Sequence, residues 1–181
     1  MKERWDWSLG EKEILDLDSW KPDVLSVDEL TFSPDGEKIA TRLLYPQGEY
    51  GLAVNGYTWE QAFDNIWYLR FSPGCELCAL TSSMGMWTLN TDKGPWPGEY
   101  EYIWDTRFDL QGNNTATAIK KDGYYGMAVN GTDWKELYPY ATDFTITSAG
   151  GGTACVVQTE SMDEADIQTF RKGIFTVAVN G

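Results

Sequence analysis

Apolar and polar residues alternate in short runs along this chain, and the runs recur at a nearly fixed interval. Leu30 and Phe32, Leu69 and Phe71, Thr106 and Phe108, and Phe144 and Ile146 fall on one side of such runs. Glu29 and Thr31, Tyr68 and Arg70, Asp105 and Arg107, and Asp143 and Thr145 fall on the other. A period of two predicts strands with one buried face. Each run ends twelve residues after a tryptophan, and those tryptophans, Trp20, Trp59, Trp96 and Trp134, are 39, 37 and 38 residues apart. Self-similarity at that interval predicts an array of four similar units.

Turn chemistry divides each unit further. Ala53-Val54-Asn55-Gly56, Ala128-Val129-Asn130-Gly131 and Ala178-Val179-Asn180-Gly181 repeat one tetrapeptide, and residues 88–94 carry a degraded version of it. Asn-Gly after an apolar alternation is a strong hairpin signal, because a type I′ turn needs positive φ at both central residues. A second turn follows each bulky apolar residue, as in Phe32-Ser33-Pro34-Asp35-Gly36 and Phe71-Ser72-Pro73-Gly74-Cys75, where Pro and Gly fit ordinary β-turn positions. In the first unit these turns bound strands over 27–33, 38–44 and 50–55, with a fourth carrying Trp59 over 59–63. Four short antiparallel strands in about 38 residues match one blade of a β-propeller.

The chain is therefore expected to be all-β, a propeller of about four blades with four antiparallel strands each. Its 181 residues form one domain, with repeats at about 20–58, 59–95, 96–133 and 134–181 and with 1–19 as an N-terminal closing segment. No stretch has the pattern of a long helix, and 161–170 is expected to form a turn or two. Trp20 belongs to a fourth strand with no first strand ahead of it, whereas the chain from Ile146 to Gly181 supplies three strands and no fourth. An N-terminal strand that completes the last blade closes a four-bladed ring. A truncated piece of a longer array, an open arc, or two chains closing an eight-bladed ring satisfy the same count.

Composition agrees with a packed β domain, at 42% hydrophobic and 14% aromatic residues. The nine tryptophans are explained mainly as wedges between twisted blades, each burying about 150 to 250 Å². Trp5, Trp7, Trp67, Trp87 and Trp104 do not all repeat. Trp67 and Trp104 sit one position before Tyr68 and Asp105; core packing is the favoured role for both, and a central opening or partner surface the alternative. The net charge of −14 repels phosphate backbones and anionic lipid, which argues against nucleic-acid binding and direct membrane insertion. With neither a spanning apolar run nor an N-terminal signal core, the expected location is cytoplasmic, at the inner face of a membrane only through partners.

The chemical inventory is short. The absence of histidine removes Ser-His triads, histidine-held zinc or haem, and the usual general base near neutrality. Cys75-Glu76-Leu77-Cys78 has redox or metal spacing, but only Cys155 remains as a further thiol, short of the ligands a zinc or iron–sulfur site needs. Cys75 aligns with the turn glycine Gly36, and Cys78 with the strand residue Ile39. No catalytic, cofactor-binding or metal residue is expected, and no cofactor. The one candidate ligand or partner surface combines Glu29, Tyr68, Asp105 and Asp143, which share a slot across the four units, with Arg70, Arg107, Trp67 and Trp104. Paired carboxylates can do acid–base work or hold a divalent cation, while Arg70 and Arg107, two residues along the same strand face, are expected to neutralise them as interblade ion pairs. The acidic stretch 161–172, with Asp163, Glu164 and Asp166, lengthens the last unit as a solvated or partner-docking loop.

Phe32-Ser33-Pro34-Asp35-Gly36-Glu37-Lys38-Ile39-Ala40 resembles the WD40-like propeller repeats of the TolB type, which implies fold alone. Trp5-Asp6-Trp7, Leu15-Asp16-Leu17-Asp18-Ser19-Trp20, Ala-Val-Asn-Gly with Trp three residues after the glycine, and Ile66-Trp67-Tyr68-Leu69-Arg70-Phe71-Ser72-Pro73 together resemble the tryptophan-rich D subunit of the Tmc transmembrane electron-transfer complex of sulfate-reducing bacteria. That resemblance, along nearly the whole chain, implies a cofactor-free cytoplasmic accessory subunit beside a membrane cytochrome, an iron–sulfur subunit and a periplasmic multihaem cytochrome. It supplies no catalytic residues. Cys75 in place of a turn glycine, the degraded second Asn-Gly turn, and a chain that ends where another repeat is expected depart from the pattern. The expected function is thus a non-enzymatic scaffold for protein–protein contacts, with other subunits or a second copy of the chain as partners. The alternative is a small-ligand-binding or hydrolytic propeller using the axial carboxylate and arginine residues.

Overall fold

The computed structural model describes residues 10–11, 13–20, 23–162 and 166–181. The sequence alternates between short strand-forming runs and Gly, Asn or Pro turns, and the chain accordingly folds into four successive sheets. The first holds β1 (Ser26–Phe32), β2 (Ile39–Leu44), β3 (Tyr50–Val54) and β4 (Tyr57–Thr58). The second holds β5 (Asn65–Phe71), β6 (Leu77–Ser83), β7 (Met86–Thr91) and β8 (Gly94–Pro95). The third holds β9 (Tyr102–Phe108), β10 (Thr115–Lys121), β11 (Tyr124–Val129) and β12 (Thr132–Asp133). The last holds β13 (Tyr140–Ile146), β14 (Thr153–Gln158) and β15 (Phe175–Val179). Strands follow chain order within each sheet and pair antiparallel, which makes the protein all-β, built from repeated sheets of the kind that form propeller blades.

Contacts group the described residues into two compact units. One runs to Gly85 and includes Leu89–Gly94; the other comprises Met86–Thr88 and Pro95–Gly181. In the first, Leu52 of β3 is buried against Phe63, Ile66 and Ala79, with Trp59 and Leu69 packed around them. In the second, Met127 of β11 is buried with Ala141, Phe144, Cys155 and Val157, and Trp134 joins them. Each core is the same contact, the third strand of one sheet against the first two strands of the next. Burial of these apolar surfaces is the main stabilising term in each unit.

The Asn-Gly turns fold as expected. Asn55, Asn130 and Asn180 have φ of 48°, 50° and 59°, each followed by a positive-φ glycine. Their side-chain Oδ1 atoms accept from the backbone N–H of Ile39, Thr115 and Thr153 at 2.8, 2.9 and 2.9 Å, so each asparagine also ties its turn to the second strand. The degraded repeat keeps that tie by other means: Asp92 accepts from the Leu77 N–H at 3.1 Å and from Lys38 Nζ at 3.2 Å. Cys75 occupies the glycine slot of the other turn with φ 65°, beside 73° at Gly36, 75° at Gly112 and 81° at Gly150.

Fourth strands are shorter than the sequence predicts. The Trp59 N–H donates to Leu52 O and the Phe63 N–H donates to Tyr50 O, so four residues of the outer strand span two of β3 and the chain arches between the bonds. The third sheet repeats this through Trp134 to Met127 and Tyr138 to Tyr125. The arch begins just after each tryptophan, whose N–H makes the last bond before it. Trp20 also differs from its expected strand, since Leu17–Trp20 is a 3-10 turn and Leu15 just ahead packs against Leu43 and Ala53 of the first sheet. The side chain of Trp20, together with Trp5 and Trp7, lies outside the described residues. The last sheet has three strands, so the fourth place beside β15 holds no strand among the described residues. Within the insertion, Ile167–Arg171 forms the single-turn helix α1, capped by Asp166, whose side chain accepts from the Thr169 N–H at 3.0 Å; Asp163 and Glu164 lie outside the described residues.

Candidate functional site

Every first strand is bulged at the slot that the sequence singles out. Pairing between first and second strands slips between Asp28 and Thr31, Trp67 and Arg70, and Thr142 and Thr145, and likewise opposite Ala116 and Ala118 in the third sheet. The residues inside the slips, Glu29, Tyr68, Asp105 and Asp143, have φ of 54°, 59°, 51° and 54°. Left-handed backbone costs a residue with a Cβ about 1 to 2 kcal/mol, and bulges re-aim side chains beside functional sites. Such a residue recurs at one position in every sheet, two in each unit, which makes these bulges the candidate functional positions.

The bulge also resets the alternation. Ile66, Ile103 and Ala141 are buried three residues ahead of Leu69, Thr106 and Phe144, so the inward positions fall at i, i+3 and i+5, and a strict period of two holds only beyond the bulge. Opposite each bulge stands one buried residue: Thr41, Ala79, Thr117 or Cys155. Thr41 Oγ1 donates to Asp28 O at 2.7 Å and Thr117 Oγ1 to Trp104 O at 2.8 Å, satisfying the carbonyl that the slip removes from the ladder. Sheets two and four put Ala and Cys there instead.

In the first unit, the charge at the slot is met by Arg42, which sequence reasoning passed over. Its Nη1 lies 3.4 Å from Glu29 Oε1 and donates to Ile66 O at 3.0 Å, Nη2 lies 3.9 Å from Asp28 Oδ2, and the guanidinium covers the Tyr50 ring at 5.1 Å. The signal was present: one arginine inside the otherwise uncharged strand Ile39-Ala40-Thr41-Arg42-Leu43-Leu44. Arg70 stacks on Tyr68, 3.7 Å from the ring centroid. In the second unit, Arg107 grips Asp105 with Nε at 3.1 Å from both carboxylate oxygens and Nη2 at 3.0 Å from Oδ2. Arg70 and Arg107 therefore act along their own strands, which corrects the interblade pairing expected of them: two residues across a bulge are close enough to meet. Asp143 is exposed.

Trp67 is exposed, contrary to the favoured core role. Trp104, at the same position, takes the core role: half-buried, it packs on the second unit's core, where it meets Phe144 edge-on at 5.6 Å, and it also joins a row of rings. Trp87 meets Tyr102 edge-on at 5.9 Å, Tyr102 stacks on Trp104 at 5.7 Å, Trp104 meets Tyr125 at 6.1 Å, and Tyr125 meets Tyr140 at 6.0 Å. Tyr102 and Tyr140 present their outer sides to solvent. They too recur 38 residues apart, a spacing that identifies them once the bulge is aligned.

Buried Tyr100 donates to Asp133 at 2.6 Å, and Lys121 Nζ lies 2.7 Å from the same carboxylate; burial, then the Asp133 bond and charge, push the Tyr100 phenol well above its usual range, and Asp133 raises Lys121. A cavity of about 360 Å³ in the second unit is lined by Asp133, Trp134, Lys135, Thr153, Asn180 and Gly181, where Trp134 Nε1 donates to Thr153 Oγ1 and Asn180 accepts from the Thr153 N–H. Burial pushes the Cys78 thiol up to about 12 and Cys155 to about 11, away from thiolate chemistry. Among the described residues no three His, Cys, Asp or Glu side chains are grouped to hold a metal ion, and no helix is long and apolar enough to cross a membrane.

No protein-family model matches the chain, and no curated protein matches it in sequence.

Proposed function

We propose that this protein is a cofactor-free accessory subunit that docks other proteins, acting at the cytoplasmic side of a membrane-associated electron-transfer complex as the resemblance to the Tmc D subunit implies. One observation carries the docking reading: the aromatic row from Trp87 to Tyr140, with Tyr102 and Tyr140 exposed along it. Tyrosine and tryptophan on a rigid support are the side chains that dominate protein interfaces, since they desolvate a large area at small entropic cost. The net charge of −14 favours partners with a basic surface.

A ligand-binding or hydrolytic role at the bulges is less well supported. Arg107 neutralises Asp105, Arg42 neutralises Glu29 and Arg70 lies on Tyr68, which ties up two of the three bulge carboxylates that a ligand or acid–base role would use. Affinity purification of the tagged chain from solubilised membranes of its own host tests the proposal. Recovery of a membrane cytochrome and an iron–sulfur protein in fixed proportion is the expected result; recovery of the chain alone would refute it.

A further inference from the structure

The two end sheets expose the two halves of one interface. Val177 of β15 occupies the position of Leu52 in β3 and Met127 in β11, three residues before each Asn-Gly turn. Leu52 and Met127 are fully buried against the following sheet, whereas Val177 is 61% exposed, with Phe175 at 38% and Val179 at 65% on the same face. At the other end, Leu30 and Phe32 occupy the positions of Leu69 and Phe71, or Phe144 and Ile146. Phe71 and Phe144 are buried against the preceding sheet, whereas Leu30 and Phe32 are 44% and 62% exposed. Both faces are thus built like those that pack inside each unit, and both stand open.

We propose that the face of β15 receives the β1 face of a second copy of this chain, so that two copies join through two head-to-tail contacts of the kind already used between sheets. The chain itself argues for this occupant, since its cores repeat the contact between a third strand and the next first strand. Charge adds a second argument: Arg171 and Lys172 lie exposed just ahead of Phe175, while Asp23 lies exposed beside Leu25, just ahead of β1. Opposite charges at the rim favour this orientation and oppose the head-to-head one. The contact is heterologous, so a pair that closes satisfies both faces of both copies.

Light scattering during gel filtration of the chain tests this. The expected mass is twice the 20.4 kDa of one chain, falling to one on dilution. Val177→Glu and Phe32→Glu, each on an exposed side chain, should run as monomers with unchanged far-ultraviolet circular dichroism; Leu30→Lys replaces Phe32→Glu if that variant misfolds. Mixing the β15 and β1 variants in equal amounts should restore the dimer, because one pair of unaltered faces remains. A monomeric parent, a dimer that survives Val177→Glu, or a mixture that stays monomeric would each overturn the proposal.

Discussion

Trp134 Nε1 donates to the Thr153 hydroxyl at 2.9 Å, tying the tryptophan that ends the third sheet to the first residue of β14. The indole is buried in the core with Met127, Phe144 and Val157. Trp134→Ala removes both the packing and the bond and should cost about 3 to 5 kcal/mol. Trp134→Phe keeps most of the volume and should cost about 1 to 2 kcal/mol by leaving the Thr153 hydroxyl short of a partner. Urea unfolding of the three proteins checks both, and an unchanged midpoint for the alanine variant would contradict the placement.

Asp143 sits at φ 54° inside its bulge and is exposed. Asp143→Gly should raise stability by about 1 kcal/mol by relieving the left-handed backbone, and Asp143→Val should lower it by a similar amount. If both variants unfold at the parent's midpoint, the bulge is not at this residue.

Glycine is required twice over at Gly131, which has φ 80° and faces Pro97 so closely that a Cβ would lie 3.0 Å from its Cδ. Gly131→Ala should cost about 1 to 2 kcal/mol from the backbone alone. Gly123→Ala has the same backbone strain at φ 81° with open space around the new Cβ, so it should cost less; equal losses would show that the Pro97 contact contributes nothing.

Acid should unfold the protein partly through two turn carboxylates. Asp109 accepts from the Asn114 side chain at 2.7 Å and the Asn113 N–H at 2.8 Å, and Asp35 from the Ser33 hydroxyl at 2.6 Å and the Glu37 N–H at 3.1 Å. These bonds hold both carboxyls below the usual 3.8. A lowered folded pKa contributes stability that is present above the unfolded value and lost as pH falls through the folded one. The melting temperature of the parent should therefore fall more steeply below pH 3.8 than that of Asp109→Asn; parallel curves would contradict the assignment.

Thiol labelling should separate the cysteines. Cys75 is half-buried on a turn, whereas Cys78 and Cys155 are buried with raised pKa. An aromatic disulfide reagent at neutral pH should modify Cys75 first and reach the other two only on unfolding. Modification of all three at one rate would contradict the cores of both units.

The turns and repeats were legible because each rests on local chemistry: Asn-Gly, Ser-Pro-Asp-Gly and the recurring tryptophan act through the residues beside them. Even Cys75 could be placed at a glycine slot by spacing. The bulges were hidden because period two continues from Leu30 to Phe32, while the inward residue three places ahead, Val27 or Ile66, breaks it in a way that resembles an ordinary strand end. Once that slip is missed, Arg107 appears to reach across blades. Trp20 shares the tryptophan of the repeat but not its preceding strands, and the chain around it forms a 3-10 turn.

The docking role is tested most directly by comparing two double variants in affinity purification from host membranes. Tyr102→Ala/Tyr140→Ala should lose the cytochrome and iron–sulfur partners while retaining the parent's fold by circular dichroism, and Asp105→Asn/Asp143→Asn should keep them. Partners retained by the tyrosine variant and lost by the carboxylate variant would contradict the account.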